Sequence, residues 1–248
     1  MKLPREWLVP DWSAPAHVRA FVTTRAGGVS QGEHASMNLS TSGGDEPENV
    51  ERNRHIVREH LPSTPRWMKQ VHGVGVADLD RLDASQSVTA DAAVASRPDR
   101  VAVVLTADCM PLFLADDSCS RVAVAHAGWR GMAAGVIEST VRTLDRPASQ
   151  VMAWMGPAIG PDAFEVGPEV REAFVAADPR ADAAFRPHQP GKFMADLYAL
   201  ARQRLARAGV QRVHGGGFCT YHDAARFFSY RRVKASGRMG AFIWIEPR

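Results

Sequence analysis

The run "VVLTADCMPLFLADDSCSRVAVAHAGWRG", Val103 to Gly131, decides how the chain is read. Three apolar stretches, "VAVVLT", "MPLFLA" and "RVAVAH", follow one another with only turn residues between them. That spacing predicts a local antiparallel meander. Two of its joints carry reactive side chains: the first stretch ends in Thr-Ala-Asp-Cys, the third in His-Ala-Gly-Trp-Arg-Gly. A cysteine and a histidine at matching strand ends suit a metal site, a nucleophile with its base, or two packed core residues.

Outward from this run, "VRAFVTT", "RWMKQV", "QVMAWM", "RFFSYRR" and "AFIWI" also read as strands. Helical spacing lies between them. In "GMAAGVIESTVRTL", Met132, Val136, Ile137, Val141 and Leu144 share one face. "PEVREAFVAAD" begins with Pro168, suited to a first helical position. "MADLYALARQRLARAG" sets Leu197, Leu200 and Leu205 on one side and stops at Gly209. Strands and helices mix without regular βαβ alternation, which predicts an α+β fold with a mixed sheet covered by helices. Neither G-x-G-x-x-G after a strand nor G-x-x-x-x-G-K-[ST] is present. No repeat or long linker appears, so residues 1–248 read as one domain.

At 248 residues, 45% hydrophobic and 23% charged, the composition is that of a soluble globular protein. No apolar run approaches the ~20 residues needed to span a bilayer, and "MKLPREWLVPDWSAP" lacks the apolar stretch of a signal peptide. Three cysteines, Cys109, Cys119 and Cys219, show no framework spacing and predict reduced thiols in a cytoplasmic protein. The net charge is +3, with arginines scattered among acids as in "RQRLARAGVQR". A nucleic-acid binder would concentrate them in a stripe interleaved with aromatics, so no nucleic-acid partner is expected.

Cys109 follows a strand and Asp108; His126 ends a strand before Gly128 and Gly131; His72 sits in "MKQVHGVGV". Two imidazoles and a thiolate with an open fourth position form an acceptable catalytic zinc site. The metal would acidify a bound water or polarise a substrate heteroatom. Alternatively Cys109 is a nucleophile, with His126 or His72 as base and Asp108 as orienter. Spacing alone favours a third reading, packed core residues, because the three lie far apart and match no short zinc motif. Arg25, before Gly27, Gly28 and Ser30, could offer an anion a guanidinium fork beside a nest of backbone N–H groups. An ordinary β-turn explains the same residues. Of Arg231 and Arg232, adjacent in an expected strand, one should face inward.

Taken together, "FVTTRAGGVS" with "MNLS", "KQVHG", "LTADCMPLFL", "VAVAHAGWRG", "GPAIGP" and "FFSYRR" closely resemble one family. It is the purine nucleoside phosphorylase family long labelled "laccase domain" or "multicopper polyphenol oxidase", which includes the bacterial peptidoglycan editing factor. The match runs in order through nearly the whole chain, with "SGRMG" where the family shows "TGR". The resemblance implies an α+β sandwich with a Cys-His zinc site at strand ends, held by His72, Cys109 and His126. It implies phosphorolysis of adenosine, inosine and methylthioadenosine, and deamination of adenosine. Arg25 would hold phosphate, Arg231 would line the nucleoside pocket, and Ser30 and Asn38 lie in matching motifs. Asp108 would shuttle the proton in deamination, although the zinc-deaminase signature H-x-E with P-C-x-x-C is absent. One family branch implies an amide hydrolase acting on peptidoglycan precursors instead. Copper is the alternative metal, but the His-x-His pairs of a multicopper cluster are absent. A ligand-binding module using the same pocket is the non-enzyme alternative.

Overall fold

A computed structural model describes residues 3–83 and 86–247; Met1 and Lys2 of the amino-terminal stretch lie outside the described residues. The strands are β1 (Val18–Val22), β2 (Val76–Asp78), β3 (Ala92–Ala95), β4 (Ala102–Thr106), β5 (Met110–Asp116) and β6 (Val122–Ala127). They continue with β7 (Val151–Met155), β8 (Glu165–Val166), β9 (Phe185–Pro187), β10 (Phe193–Ala195), β11 (Arg212–Gly215) and β12 (Met239–Ile245). The helices are α1 (Pro47–Arg58), α2 (Trp129–Ala134), α3 (Val136–Leu144), α4 (Pro168–Val175) and α5 (Leu197–Arg207).

Among the described residues, β1-β12-β4 form one sheet and β11-β7-β5-β6-β3-β2 a larger one, with a small β8-β10-β9 sheet at the side. The larger sheet is mixed: β11 runs parallel to β7 and β2 to β3, the rest antiparallel. Alternation along β5 explains the layering. Phe113 and Ala115 point into a core shared with Val104 of β4 and Ile243 of β12, between the two sheets. Met110, Leu112 and Leu114 point the other way, onto Ile137 of α3 and Leu200 of α5. A third core, including Phe21, Phe242 and Trp244, lies on the outer face of the smaller sheet beneath Val57 of α1. The molecule is therefore an α+β sandwich with helices outside, as expected. With apolar layers on both faces, the strands read as continuous apolar runs.

Five expectations need correction. "VAVVLT" does not join a meander with "MPLFLA". Asp108, at φ 83°, turns the chain between them, and β4 pairs instead with β12, a fully buried strand that needs a neighbour on each edge. "RWMKQV" makes only single bridges, Arg66 to Ala102 and Lys69 to Thr89. Gln70 bonds the Leu105 N–H and carbonyl with its side-chain amide, where a backbone neighbour would otherwise serve. "RFFSYRR" runs through turns, because the Arg232 guanidinium supplies donors to the carbonyls of Thr220, Tyr221 and Phe227. "GMAAGVIESTVRTL" is two helices: Gly135, at φ 104°, ends α2 and starts α3. Asp196 caps the next expected helix, accepting from the Ala199 N–H, so Met194 and Ala195 belong to β10. Among the described residues, no helix is long and apolar enough to cross a membrane.

Candidate functional site

Three chain segments meet at one end of the larger sheet. His126 is in β6 just before its end, Cys109 lies where the chain crosses from β4 into β5, and His72 sits on the loop before β2. Their ligand atoms all lie within 4.8 Å of one another. Cys109 Sγ is 3.8 Å from His72 Nε2, and the imidazole centroids are 4.7 Å apart. His126 is buried, Cys109 half-buried and His72 exposed, so the cluster opens to solvent on the His72 side. Bond lengths of ~2.0–2.3 Å about a tetrahedral zinc separate its ligand atoms by about 3.3–3.6 Å. The cluster is slightly wider than that and of the right chemistry, so these side chains can hold a metal ion. Three protein ligands also leave a position for substrate or water.

The surroundings explain why the ligands meet. Gly128 follows β6 at the start of α2, and a Cβ there would lie 2.6 Å from Cys109 Sγ and 3.2 Å from His72 Cδ2. A Cβ on Gly131 would lie 3.0 Å from the Gly73 carbonyl. The glycines of "HAGWRG" thus let α2 pack against the ligand loop. His72 itself is left-handed, at φ 58°, a conformation that needs outside support in a non-glycine residue.

That support comes from Asp91, fully buried at the head of β3. Its Oδ1 accepts from the His72 N–H at 2.8 Å, and its Oδ2 from Gly73 at 2.8 Å and Val71 at 3.1 Å. Oδ1 also takes His126 Nδ1 at 2.8 Å, while the Asp91 carbonyl accepts the His126 N–H at 2.7 Å. Burial would raise the Asp91 carboxyl, but bonds from His126, Gly73 and Val71 bring it below its ordinary value. Burial opposes charge at the other two groups as well. The imidazoles nonetheless bring Cys109 down to about 6, and Cys109 with Asp91 raises His126 to about 9. In the metal-free protein both shifts run toward a thiolate–imidazolium pair.

Asp108 is clamped rather than mobile. Thr220 Oγ1 donates to Oδ1 at 2.6 Å and the Arg231 N–H to Oδ2 at 2.7 Å. The Arg231 guanidinium donates to the Glu165 carbonyl at 2.9 Å and lies over Phe164, while the residue remains exposed. Arg232, donating to three carbonyls, is the framework partner of the two. Arg25 sends Nε and Nη2 to the Ala35 carbonyl and Nη1 to Ala224. The glycine turn beside it is already bonded inwardly: Gly28 N–H to Ser36 Oγ, Val29 N–H to Asn53 Oδ1 and Ser30 N–H to the Ser36 carbonyl. Ser30 Oγ and Asn38 Nδ2 both donate to Asp45, at 2.7 and 2.8 Å.

Sequence reading passed over Asp91, Thr220 and Arg238. The tripeptide Thr-Ala-Asp occurs twice, at 89–91 and 106–108, and both acids clamp the site. That repetition was the available signal. Arg238, at the head of β12, stacks over Tyr230 at 5.6 Å. Burial lowers its guanidinium, and the charges of Cys109 and Asp108 oppose that shift. Outside this cluster, no group of His, Cys, Asp and Glu among the described residues is arranged to hold a metal.

Residues 19–246 match the family described as multi-copper polyphenol oxidoreductase laccase. A purine nucleoside phosphorylase of Pseudomonas aeruginosa is 53% identical over 241 residues, covering 97% of this chain and 98% of that one. The purine nucleoside phosphorylase YfiH of Escherichia coli is 49% identical, over 96% and 98%. Among solved structures, a Neisseria meningitidis protein superposes with a TM-score of 0.94 at 45% identity, covering 98% of this chain and 100% of that one. YlmD of Geobacillus stearothermophilus superposes at 0.90 with 30% identity, over 100% and 98%.

Proposed function

The chain belongs to the multi-copper polyphenol oxidoreductase laccase family, with relatives named purine nucleoside phosphorylase, and on that premise we propose a zinc-dependent purine nucleoside phosphorylase. Its substrates are adenosine, inosine and methylthioadenosine, and it deaminates adenosine as a second activity. The observation that carries the reading is the His72–Cys109–His126 cluster, open on one side and flanked by the clamped Asp108. One thiolate and two imidazoles are the donors of a catalytic zinc site, and the same set would also take a single copper ion. A multicopper site needs several such clusters, and the described residues offer one.

In phosphorolysis a phosphate oxygen bonds to C1′ as the C1′–N9 bond breaks; the purine leaves with the electron pair and gains a proton. His72, Cys109 and His126 would hold the zinc ion, which would supply Lewis acidity toward a purine heteroatom or water. Asp108 is fixed by Thr220 and Arg231, so it meets the substrate with little reorganisation. In deamination water bonds to C6 as the C6–N bond breaks and ammonia leaves. In this reading Asp108 accepts the water's proton at a carboxylate oxygen and passes it to the departing amine. Arg231, exposed beside Phe164, contacts the nucleoside. Arg25 is the phosphate ligand, and phosphate must compete there with the Ala35 and Ala224 carbonyls. Ser30 and Asn38, joined through Asp45, hold the loop that carries Arg25. The cytoplasm, which holds both nucleosides and phosphate, is the proposed location, and residues 1–248 act as one domain.

The test is chromatography of adenosine incubated with the protein, with and without phosphate, beside Cys109→Ala. Adenine and ribose 1-phosphate should form only with phosphate and only in the wild type. Inosine alone, independent of phosphate, would remove the phosphate role of Arg25. One observation favours a second reading: Cys109 Sγ beside the His72 and His126 imidazoles is also the arrangement of a cysteine nucleophile with its base. In that case the chain would be an amide hydrolase acting on peptidoglycan precursors. Turnover of such amides, blocked by alkylation and indifferent to zinc removal, would replace the first reading.

A further inference from the structure

We infer that Asp91 is the positioning residue of the metal centre: one carboxylate sets both histidine ligands, His72 through its backbone and His126 through its ring. The inference rests on the metal reading above and assigns a role to a residue that touches neither substrate nor ion.

An ionised carboxylate offers about four acceptor sites, two per oxygen. Asp91 fills all four, with Val71, His72, Gly73 and His126 Nδ1. A carboxylate that only capped the loop would need the three amides and no ring. The fourth bond makes His126 Nδ1 the protonated nitrogen and leaves Nε2 as the ligating atom. Of the first three, the bond to His72 N–H stabilises the left-handed backbone that brings His72 to the cluster. Asp91 has no Lys or Arg partner among the described residues, and its ion pair is with His126 alone. A fully buried carboxylate without a permanent cation is expensive unless every lone pair is used. The arrangement is therefore specific to the charged form of this side chain. Asparagine keeps the shape but offers one accepting oxygen, and it turns an N–H₂ group toward backbone N–H donors.

The test uses the full chain loaded with Zn(II). Zinc affinity is measured by chelator competition in the wild type, Asp91→Asn and Asp91→Ala, with circular dichroism and a melting curve to establish folding. Co(II) absorption reports ligand geometry. Asp91→Asn should bind zinc 10–100-fold more weakly, the range for lost outer-shell partners of metal histidines, with an altered Co(II) spectrum. A folded variant within threefold of wild-type affinity, with the wild-type Co(II) spectrum, overturns the inference alone. A wild type that takes up no zinc overturns the metal reading, and this inference with it. Should both variants fail to fold, ¹⁵N-histidine NMR of the zinc-loaded wild type decides. His126 should carry its proton on Nδ1; a proton on Nε2 overturns the inference.

Discussion

Gly128 shows how little room the centre leaves. Its backbone, at φ −71° and ψ 161°, is open to any residue, so a side chain there adds no backbone strain. The obstacle is Cys109 Sγ, 2.6 Å from where a Cβ would stand. Gly128→Ala should therefore stay folded yet lose about 100-fold in kcat/KM, the scale of loss when a reacting group is misplaced by ~1 Å. Steady-state kinetics beside a melting curve checks this, and a fully active variant would mean that Cys109 gives way freely. Cys109 also titrates in an unusual range. In the metal-free protein its thiol is brought down to about 6 by His126 and His72, against the pull of burial. Below that pH the thiol is protonated and slow; above it the thiolate reacts. Iodoacetamide labelling of Cys109, followed by peptide mass mapping, should reach half its maximal rate near pH 6. An ordinary thiol does so near ~8.5, and His126→Ala should move the midpoint back toward that value. Legibility differed sharply among such residues. His72, Cys109 and His126 stood out because reactive types sat beside glycines in recognisable motifs. Asp91 did not, because an acid at the head of a strand reads as an ordinary turn residue until its four partners are seen.

At the scale of elements, the segment from Thr220 to Arg232 behaves as a clamp built from side chains instead of a sheet. Arg232 ties the Thr220, Tyr221 and Phe227 carbonyls together, and Thr220 in turn holds Asp108. Arg232→Ala strands those carbonyls and should destabilise the protein by about 2 kcal/mol, in the range for a lost charged hydrogen-bond donor. It should also lower kcat, because Asp108 loses its register. Arg231→Ala removes an exposed guanidinium with its bond to the Glu165 carbonyl and its contact with Phe164; the backbone N–H that holds Asp108 remains. Its stability should stay within ~0.5 kcal/mol of wild type, with the effect falling on KM. Urea denaturation and kinetics on both variants separate the clamp from the contact; equal effects on stability would refute the division. The apolar runs that became β4, β5 and β6 were legible as strands, since nothing else in so short a space buries them. Their pairing was not. Whether "VAVVLT" turns back onto "MPLFLA" or leaves for another sheet depends on the backbone at Asp108, a polar residue held at φ 83° by contacts more than 100 residues away. Local pattern carries no trace of such contacts.

For the whole molecule, the centre joins parts that fold far apart in sequence. His126 belongs to the larger sheet, Cys109 to the crossing from the smaller sheet, and His72 to a loop held from β3 by Asp91. The sandwich core lies directly between the sheets that these segments connect. An ion bound at the centre cross-links this architecture in the folded chain and has no comparable site in the unfolded one. Linkage then sets the size of the effect. Zinc at about 1,000 times its dissociation constant stabilises the folded state by ~4 kcal/mol. In a domain of this size each kcal/mol raises Tm by about 2–4 °C. Saturating zinc should therefore raise the melting temperature by roughly 8–16 °C over chelator-treated protein. The rise should depend on zinc concentration and largely vanish in His126→Ala, which loses one ligand and the ring partner of Asp91. Differential scanning calorimetry with and without chelator measures it. A zinc-independent melting temperature in the wild type would mean that the three side chains meet for another purpose, and the thiolate–imidazolium pair would become the centre's working part.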